Sequence, residues 1–201
     1  MSSGPGATHL AALTQRVAVH APQRANAAPD VRRAAVAAVL RPDGAGSADL
    51  LFIKRAIFSG DPWSGQIAFP GGRRERDDAS LEQTAVRETR EELGGDLAIA
   101  ATMLGALDEI HPLSPHLPPI VVRPHVFVLR GAFEITMSDE VADTFWAPLA
   151  TLLNPATRTT TTVEALGARF TMPAFVVGER VIWGMTERIL SQLLGLPLPP
   201  W

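Results

Sequence analysis

At 201 residues, 46% of them hydrophobic, the chain is sized for one globular domain around a single substantial core. A formal charge of -3 supplies no basic field of the kind that draws proteins onto nucleic acid or anionic membranes, so neither partner is expected. Cysteine is absent, which excludes disulfides, thiolate metal sites and cysteine nucleophiles, and no apolar run reaches the roughly 18 residues of a membrane span; a cytoplasmic setting is the expectation.

In chain order, residues 1–30 are rich in Ala, Gly, Pro and Ser, with one weak amphipathic stretch through Leu10, Leu13 and Val17. They read as a partly flexible N-terminal extension to a domain over 31–198. From Arg33 the runs AAVAAVL and LLFI, separated by a Gly/Asp/Ser turn at Asp43 to Asp49, predict a β-hairpin. The segment SGDPWSGQIAFPGGRRERDD is too dense in Gly and Pro to hold either period and reads mostly as turn and loop. ASLEQTAVRETREELGG then reads as a helix, with Asp78 or Ser80 capping its start and Gly94 and Gly95 ending it.

LAIAATMLGAL and IVVRPHVFVL read as strands on either side of a proline-rich loop from His111 to Pro119. ADTFWAPLATLL suggests a short helix, FTMPAFVV a strand and WGMTERILSQLLGL a terminal helix. Mixed strands with two or three helices predict an α/β or α+β sandwich. The five histidines have no metal-ligand spacing, His111 and His116 lying beside loop prolines, and neither a P-loop nor a Gly-x-Ser-x-Gly elbow occurs.

On the helix 81–93, the 100° step places Glu88, Glu91 and Glu92 at i, i+3 and i+4, within about a 100° arc, opposite Val86, Thr89 and Leu93. Three like charges so placed form either a solvated stripe, in which Arg87 and Glu91 make an ordinary i, i+4 pair, or one whose repulsion a cation relieves. An all-oxygen anionic set suits magnesium or manganese, which retain waters and bridge to substrate phosphates.

The approach to this helix decides between the two. GGRRERDDASLEQTAVRETREELGG resembles the Nudix box, G-x5-E-x7-R-E-U-x-E-E-x-G-U with U apolar, and Arg87, Glu88, Glu91, Glu92 and Gly94 fall on its R, E, E, E and G. Asp78 stands where the box has a glutamate, one residue further than usual from the arginine, and Thr89 and Gly95 replace apolar positions. The resemblance implies an α/β/α sandwich with a mixed sheet and a loop-helix-loop catalytic motif. It also implies metal ligation by Glu88, Glu91 and Glu92, oriented by Arg87, with Gly71 and Gly72 letting backbone approach the site closely. The implied activity is metal-assisted hydrolysis of a nucleoside-diphosphate derivative, a small-molecule partner. Glu88 or Glu91, or Glu140 from outside the box, would take the proton of the attacking water; Glu140 reads equally as a helix N-terminal acid.

Upstream, LLFIKRAIFSGDPWSGQIAFPGG resembles the motif of coenzyme A pyrophosphatases through Leu51, Arg55, Gly65, Phe69, Pro70, Gly71 and Gly72, with Ser59 and Gly60 where that motif has Leu-Arg. EVADTFWAPL and IWGMTERIL extend the similarity, which implies cleavage of coenzyme A to 4′-phosphopantetheine and 3′,5′-ADP. ADP-ribose, dinucleoside polyphosphates and oxidised nucleoside triphosphates are the competing substrates, and a ligand-binding module that has lost catalysis is the competing class. Arg55 meets a substrate phosphate or a nearby carboxylate; Trp63 stacks on substrate or pins its own loop. Arg123, His125 and Phe127 share one strand face that lines the pocket or is half solvated. Trp146 and Trp183 read as core or dimer contacts, and the apolar C-terminal helix packs on its own domain or on a second subunit in a homodimer.

Overall fold

The computed structural model describes residues 7–112, 118–165 and 168–198. His116 and the ends of the chain lie outside the described residues. Strands β1 (Arg32–Pro42) and β2 (Ala48–Arg55) form the expected hairpin, with Leu40 opposite Leu50. Its turn is fixed by the Asp43 carboxylate, which accepts from the backbone N–H groups of Ala45 and Ser47.

The Gly/Pro-rich segment that follows is mostly turn, as expected, but contributes two very short strands, β3 (Ile67–Ala68) on β2 and β4 (Gly71–Arg73) on the start of β1. Strands of two or three residues cannot show a period in sequence. Helix α2 (Leu81–Leu93) comes next, followed by a helical turn α3 (Leu97–Ala100) and then β5 (Ala101–Ala106). The run LAIAATMLGAL is therefore not all strand: the Asp96 carboxylate accepts from the N–H of Ala98 and starts a helix before the chain extends.

Strand β6 (Ile120–Leu129) runs parallel to β1 and antiparallel to β5. β7 (Val141–Pro148) pairs with β2, so ADTFW is strand rather than helix, and the short helix α4 (Leu149–Leu153) begins only after Pro148 ends the ladder. These seven strands make one mixed sheet. A smaller antiparallel sheet of β8 (Arg158–Ala165), β9 (Ala168–Val177) and β10 (Arg180–Trp183) precedes the terminal helix α5 (Gly184–Leu194).

Each face of the main sheet is buried. On one, Ala35, Ala37, Val39 and Ile53 pack under Ala85 and Leu93 of α2 and Leu97 of α3. On the other, Leu40, Leu50 and Phe52 meet Leu13 and Val17 of helix α1 (Ala7–Val19), Phe175 of β9, and Leu190 and Leu193 of α5. This is an α/β/α sandwich with a mixed sheet. The apolar side of α5 is covered by its own chain, and Arg16 of α1 donates to the carbonyl of Leu193 near its end.

The connection from α1 to β1 is latched to residues 108 and 109. Asp108 accepts from the N–H of Gln23 and pairs with His20 at 2.8 Å. The Glu109 side chain, 2% exposed, accepts from the N–H of Ala25 and is gripped by Arg33 and Arg123, each at 2.9 Å. Burial raises the Glu109 pKa, but that N–H and the two guanidiniums outweigh it and hold the carboxyl below its ordinary range. The face Arg123, His125, Phe127 is thus mostly packed rather than half solvated: its arginine, partly exposed, is engaged with Glu109, and His125 and Phe127 are buried. Burial, with Arg123 beside it, depresses the His125 pKa to about 4.

Candidate active site

Helix α2 starts where Ser80 accepts from the N–H of Gln83 and ends where Gly94 turns left-handed at φ 72°. Its last carbonyls are met from the loop that joins β6 to β7, Thr136 N–H donating to Leu93 and Ser138 N–H to Glu92. The helix is thereby fixed in rotation as well as position. Thr84, Ala85, Thr89 and Leu93 face the sheet. Glu92 goes with them and is only 2% exposed, whereas Val86 is only half-buried, so the apolar face is rotated from the expected one and the three glutamates are not a single solvated stripe.

Arg87 organises the group. Its Nε and Nη2 donate to the two oxygens of Asp78 at 3.1 Å each, its Nη2 lies 3.0 Å from Glu88 Oε1 and 2.8 Å from the carbonyl of Arg73, and its Nη1 lies 2.8 Å from Glu91 Oε2. Asp78 is buried and also accepts from the N–H of Glu75 and the hydroxyl of Thr84. The Arg87 hydrogen bond is the chief reason its pKa falls to about 2, and Asp78 in turn raises that of Arg87. The residue replacing the box glutamate therefore fixes the arginine in place despite the longer spacing.

The remaining carboxylates have too little positive charge around them. Burial pushes Glu88 up against the pull of Arg87, with Glu91 and Glu140 adding to the rise. Burial lifts Glu92 to about 8; the N–H of Gly71 at 2.9 Å and Arg55 Nη1 at 3.9 Å pull it down, while Glu88 and Glu140 push it further up. Glu140 precedes strand β7, not a helix, so the reading of it as a helix N-terminal acid fails; its carbonyl accepts from the N–H of Ala56, fixing the backbone beside the cavity.

Two glycines allow this crowding. A Cβ on Gly72 would lie 2.5 Å from the Glu88 carboxyl carbon, and one on Gly71, at φ 148°, would lie 2.3 Å from the carbonyl oxygen of Ala35. Among the described residues no three acidic or histidine side chains already converge as a ligand set, because Glu91 is turned to Arg87. The donor chemistry nevertheless fits a hard divalent cation: Glu88 and Glu92 are oxygen donors whose mutual repulsion such an ion relieves, and Gly72 leaves the Glu88 carboxylate clear of side chain.

A cavity of about 740 Å³ opens beside these groups. Its walls include Arg55, Glu88, Glu91, Glu92 and Glu140 at the charged end, and Trp63, Ile120, Val122 and Met185 at an apolar end. Arg55 bonds the Asp61 carboxylate at 3.0 Å, the carboxylate partner foreseen for it, and also lines the cavity. Trp63 packs against the group of Ala34, Ile120 and Val122, as Met185 does, and still lines the cavity. Trp146 packs on the core under α2 with the Arg41 guanidinium 4.2 Å above its ring. The contributions of Met185, Thr186 and Ile189 from α5 were not expected; helical spacing shows that α5 has a buried side, not which cavity its first turn reaches.

A family model described as the NUDIX domain matches residues 31–165. An uncharacterised protein of Schizosaccharomyces pombe is 38% identical over 132 residues, spanning 63% of this chain and 40% of that protein. The mitochondrial coenzyme A diphosphatase NUDT8 of Homo sapiens is 32% identical over 186 residues, 83% of this chain and 71% of its own length. The crystal structure of a MutT/nudix family protein from Enterococcus faecalis superposes with a TM-score of 0.53 at 17% identity, covering 96% of this chain and 73% of the other, which supports the fold. No helix among the described residues is long and apolar enough to cross a membrane.

Proposed function

The chain belongs to the Nudix family, and from that premise we propose that it is a magnesium- or manganese-dependent pyrophosphohydrolase that cleaves coenzyme A or its derivatives to 4′-phosphopantetheine and 3′,5′-ADP. The observation that carries the hydrolase reading is the excess of carboxylate at one end of the cavity, where Glu88 and Glu92 are both lifted in pKa and Gly72 leaves room beside them. Glu88, Glu91 and Glu92 would hold the ion, Glu91 by leaving Arg87. The bound ion would supply charge neutralisation for the diphosphate and acidify a water for in-line attack.

The chain's own residues do the rest. Arg87, locked by Asp78, keeps the Glu88 carboxylate oriented. Arg55 meets the diphosphate at the charged end, and Gly71 and Gly72 keep the backbone low enough for it to approach. Glu140 takes the proton of the attacking water, since it lines the cavity and, among the described residues, no arginine ion pair holds it. Trp63 offers its ring to the organic part of the substrate. Coenzyme A is supported by the relative named as its diphosphatase and by the run from Leu51 to Gly72. That relative is named mitochondrial, and the cytoplasmic setting proposed here is tested by cell fractionation.

Coenzyme A, ADP-ribose, diadenosine tetraphosphate and an oxidised nucleoside triphosphate, each incubated with magnesium and with manganese and resolved by mass, separate the substrates. Release of 4′-phosphopantetheine and 3′,5′-ADP at the highest kcat/KM supports the proposal; preference for another compound redirects it. Absence of turnover with either ion favours a binding module.

A further inference from the structure

Among the described residues three arginines, Arg55, Arg73 and Arg87, line the cavity, and they are not equivalent. Arg87 is saturated by Asp78, Glu88, Glu91 and the Arg73 carbonyl. Arg55 is held by Asp61 and lies near Glu92. Arg73 is exposed, and among the described residues its guanidinium has no ion-pair or hydrogen-bond partner; Glu75 also lines the cavity but makes no ion pair with it.

Its placement is fixed by strand register. Arg73 stands opposite Ala34 in the antiparallel pairing of β4 with β1, so the two side chains project from the same face of the sheet. Ala34 belongs to the apolar group of Ile120, Val122, Trp63 and Met185. The neighbouring Gly72 points the other way, toward Glu88. Arg73 therefore carries its charge to the apolar end of the cavity, away from the carboxylates and the scissile bond. Its backbone cannot drift, because its carbonyl accepts from Arg87.

A lone guanidinium beside an aromatic and aliphatic shelf suits a group that is flat or apolar and also bears an anion. We propose that Arg73 is a specificity-determining residue which binds a phosphomonoester on the non-scissile part of the substrate, a nucleoside 3′-phosphate whose base lies along Trp63. This inference rests on the reading of the cavity as a nucleoside-diphosphate site.

The test compares coenzyme A with dephospho-coenzyme A, which lacks only that phosphate, on the wild-type enzyme, Arg73→Ala and Arg73→Lys. Arg73→Ala is expected to lower kcat/KM for coenzyme A by about 10- to 100-fold, through KM with kcat kept, and to leave dephospho-coenzyme A within about twofold. Arg73→Lys keeps the charge and regains part of the difference. Equal effects on both substrates, or no effect on either, overturn the proposal. Calorimetric binding of 3′,5′-ADP against 5′-AMP gives a readout free of turnover. If the wild type cleaves no coenzyme A yet prefers 3′,5′-ADP in an Arg73-dependent way, the hydrolase assignment fails and this one stands; if coenzyme A is cleaved and Arg73→Ala treats each pair alike, the reverse holds.

Discussion

Two networks of arginine and buried carboxylate lie on opposite sides of the charge ledger. At Glu109, one carboxylate has two guanidiniums and a backbone N–H, and its pKa falls. Around α2, Arg87 and Arg55 face Asp78, Glu88, Glu91 and Glu92, with Glu140 nearby, and only Asp78 is pulled down strongly. Similar chemistry thus gives a closed knot in one place and an open, electron-rich pocket in the other. What separates them is the ratio of cations to anions together with depth: Glu92 is buried outright, whereas Glu109, its side chain covered by its partners, sits nearer the surface.

The two regions should fail in opposite ways. Glu92→Gln is expected to cut kcat by about a thousandfold, the scale of losing one preorganised electrostatic contact, while the melting temperature of the metal-free protein holds or rises because a poorly compensated buried acid is gone. Steady-state assays with magnesium and thermal unfolding read the two effects; lost activity with a large fall in melting temperature would break the comparison. Glu109→Gln should do the reverse, costing about 2 kcal/mol in urea unfolding, since two guanidiniums lose their partner but Arg33 keeps part of its side chain in water, with kcat/KM unchanged.

Asp78→Asn falls between the two. The Asp78 pKa drops from 3.8 to about 2 on folding, so its stabilisation is complete above 3.8 and is lost as pH falls toward 2. Urea midpoints measured from pH 5 to 2 should decline less steeply in the variant, and kcat should fall about tenfold as Arg87 loosens. The smallest effect is a proton count. Because Glu92 keeps its proton up to about pH 8, cation uptake should release a proton below that pH, and apparent affinity should climb with pH before levelling. Calorimetry in buffers of different ionisation heat measures it; no proton release at pH 7 would place the ion away from Glu92.

The sequence carried α2 almost whole, since Ser80, Gly94 and the spacing of the box are local features. Periodicity could place Glu88, Glu91 and Glu92 on one arc but could not say where that arc meets the sheet, and Glu92 falls on the buried side of that boundary. ADTFW was misread because an apolar run of that length has no period to distinguish strand from helix; its pairing partner, β2, lies far away in the chain. RTTTTVEA offers no apolar alternation, and only its ladder with β9 reveals the strand. Arg73 had no signal at all, for its significance lies in the register of β4 and in the saturation of its neighbours.

Strand β1 has a consequence of its own. Ala35 and Ala37 beneath Ala85 of α2 are completely buried, so three methyl groups define the gap between helix and sheet. A larger side chain at either strand position would prise the helix outward and shift all its glutamates together relative to Gly72, spoiling their alignment without altering one polar atom. Ala37→Val should accordingly cost about 1 to 3 kcal/mol and depress turnover together, as overpacking does. The proposed chemistry is thus exposed to mutation from beneath, at residues that have no chemistry themselves.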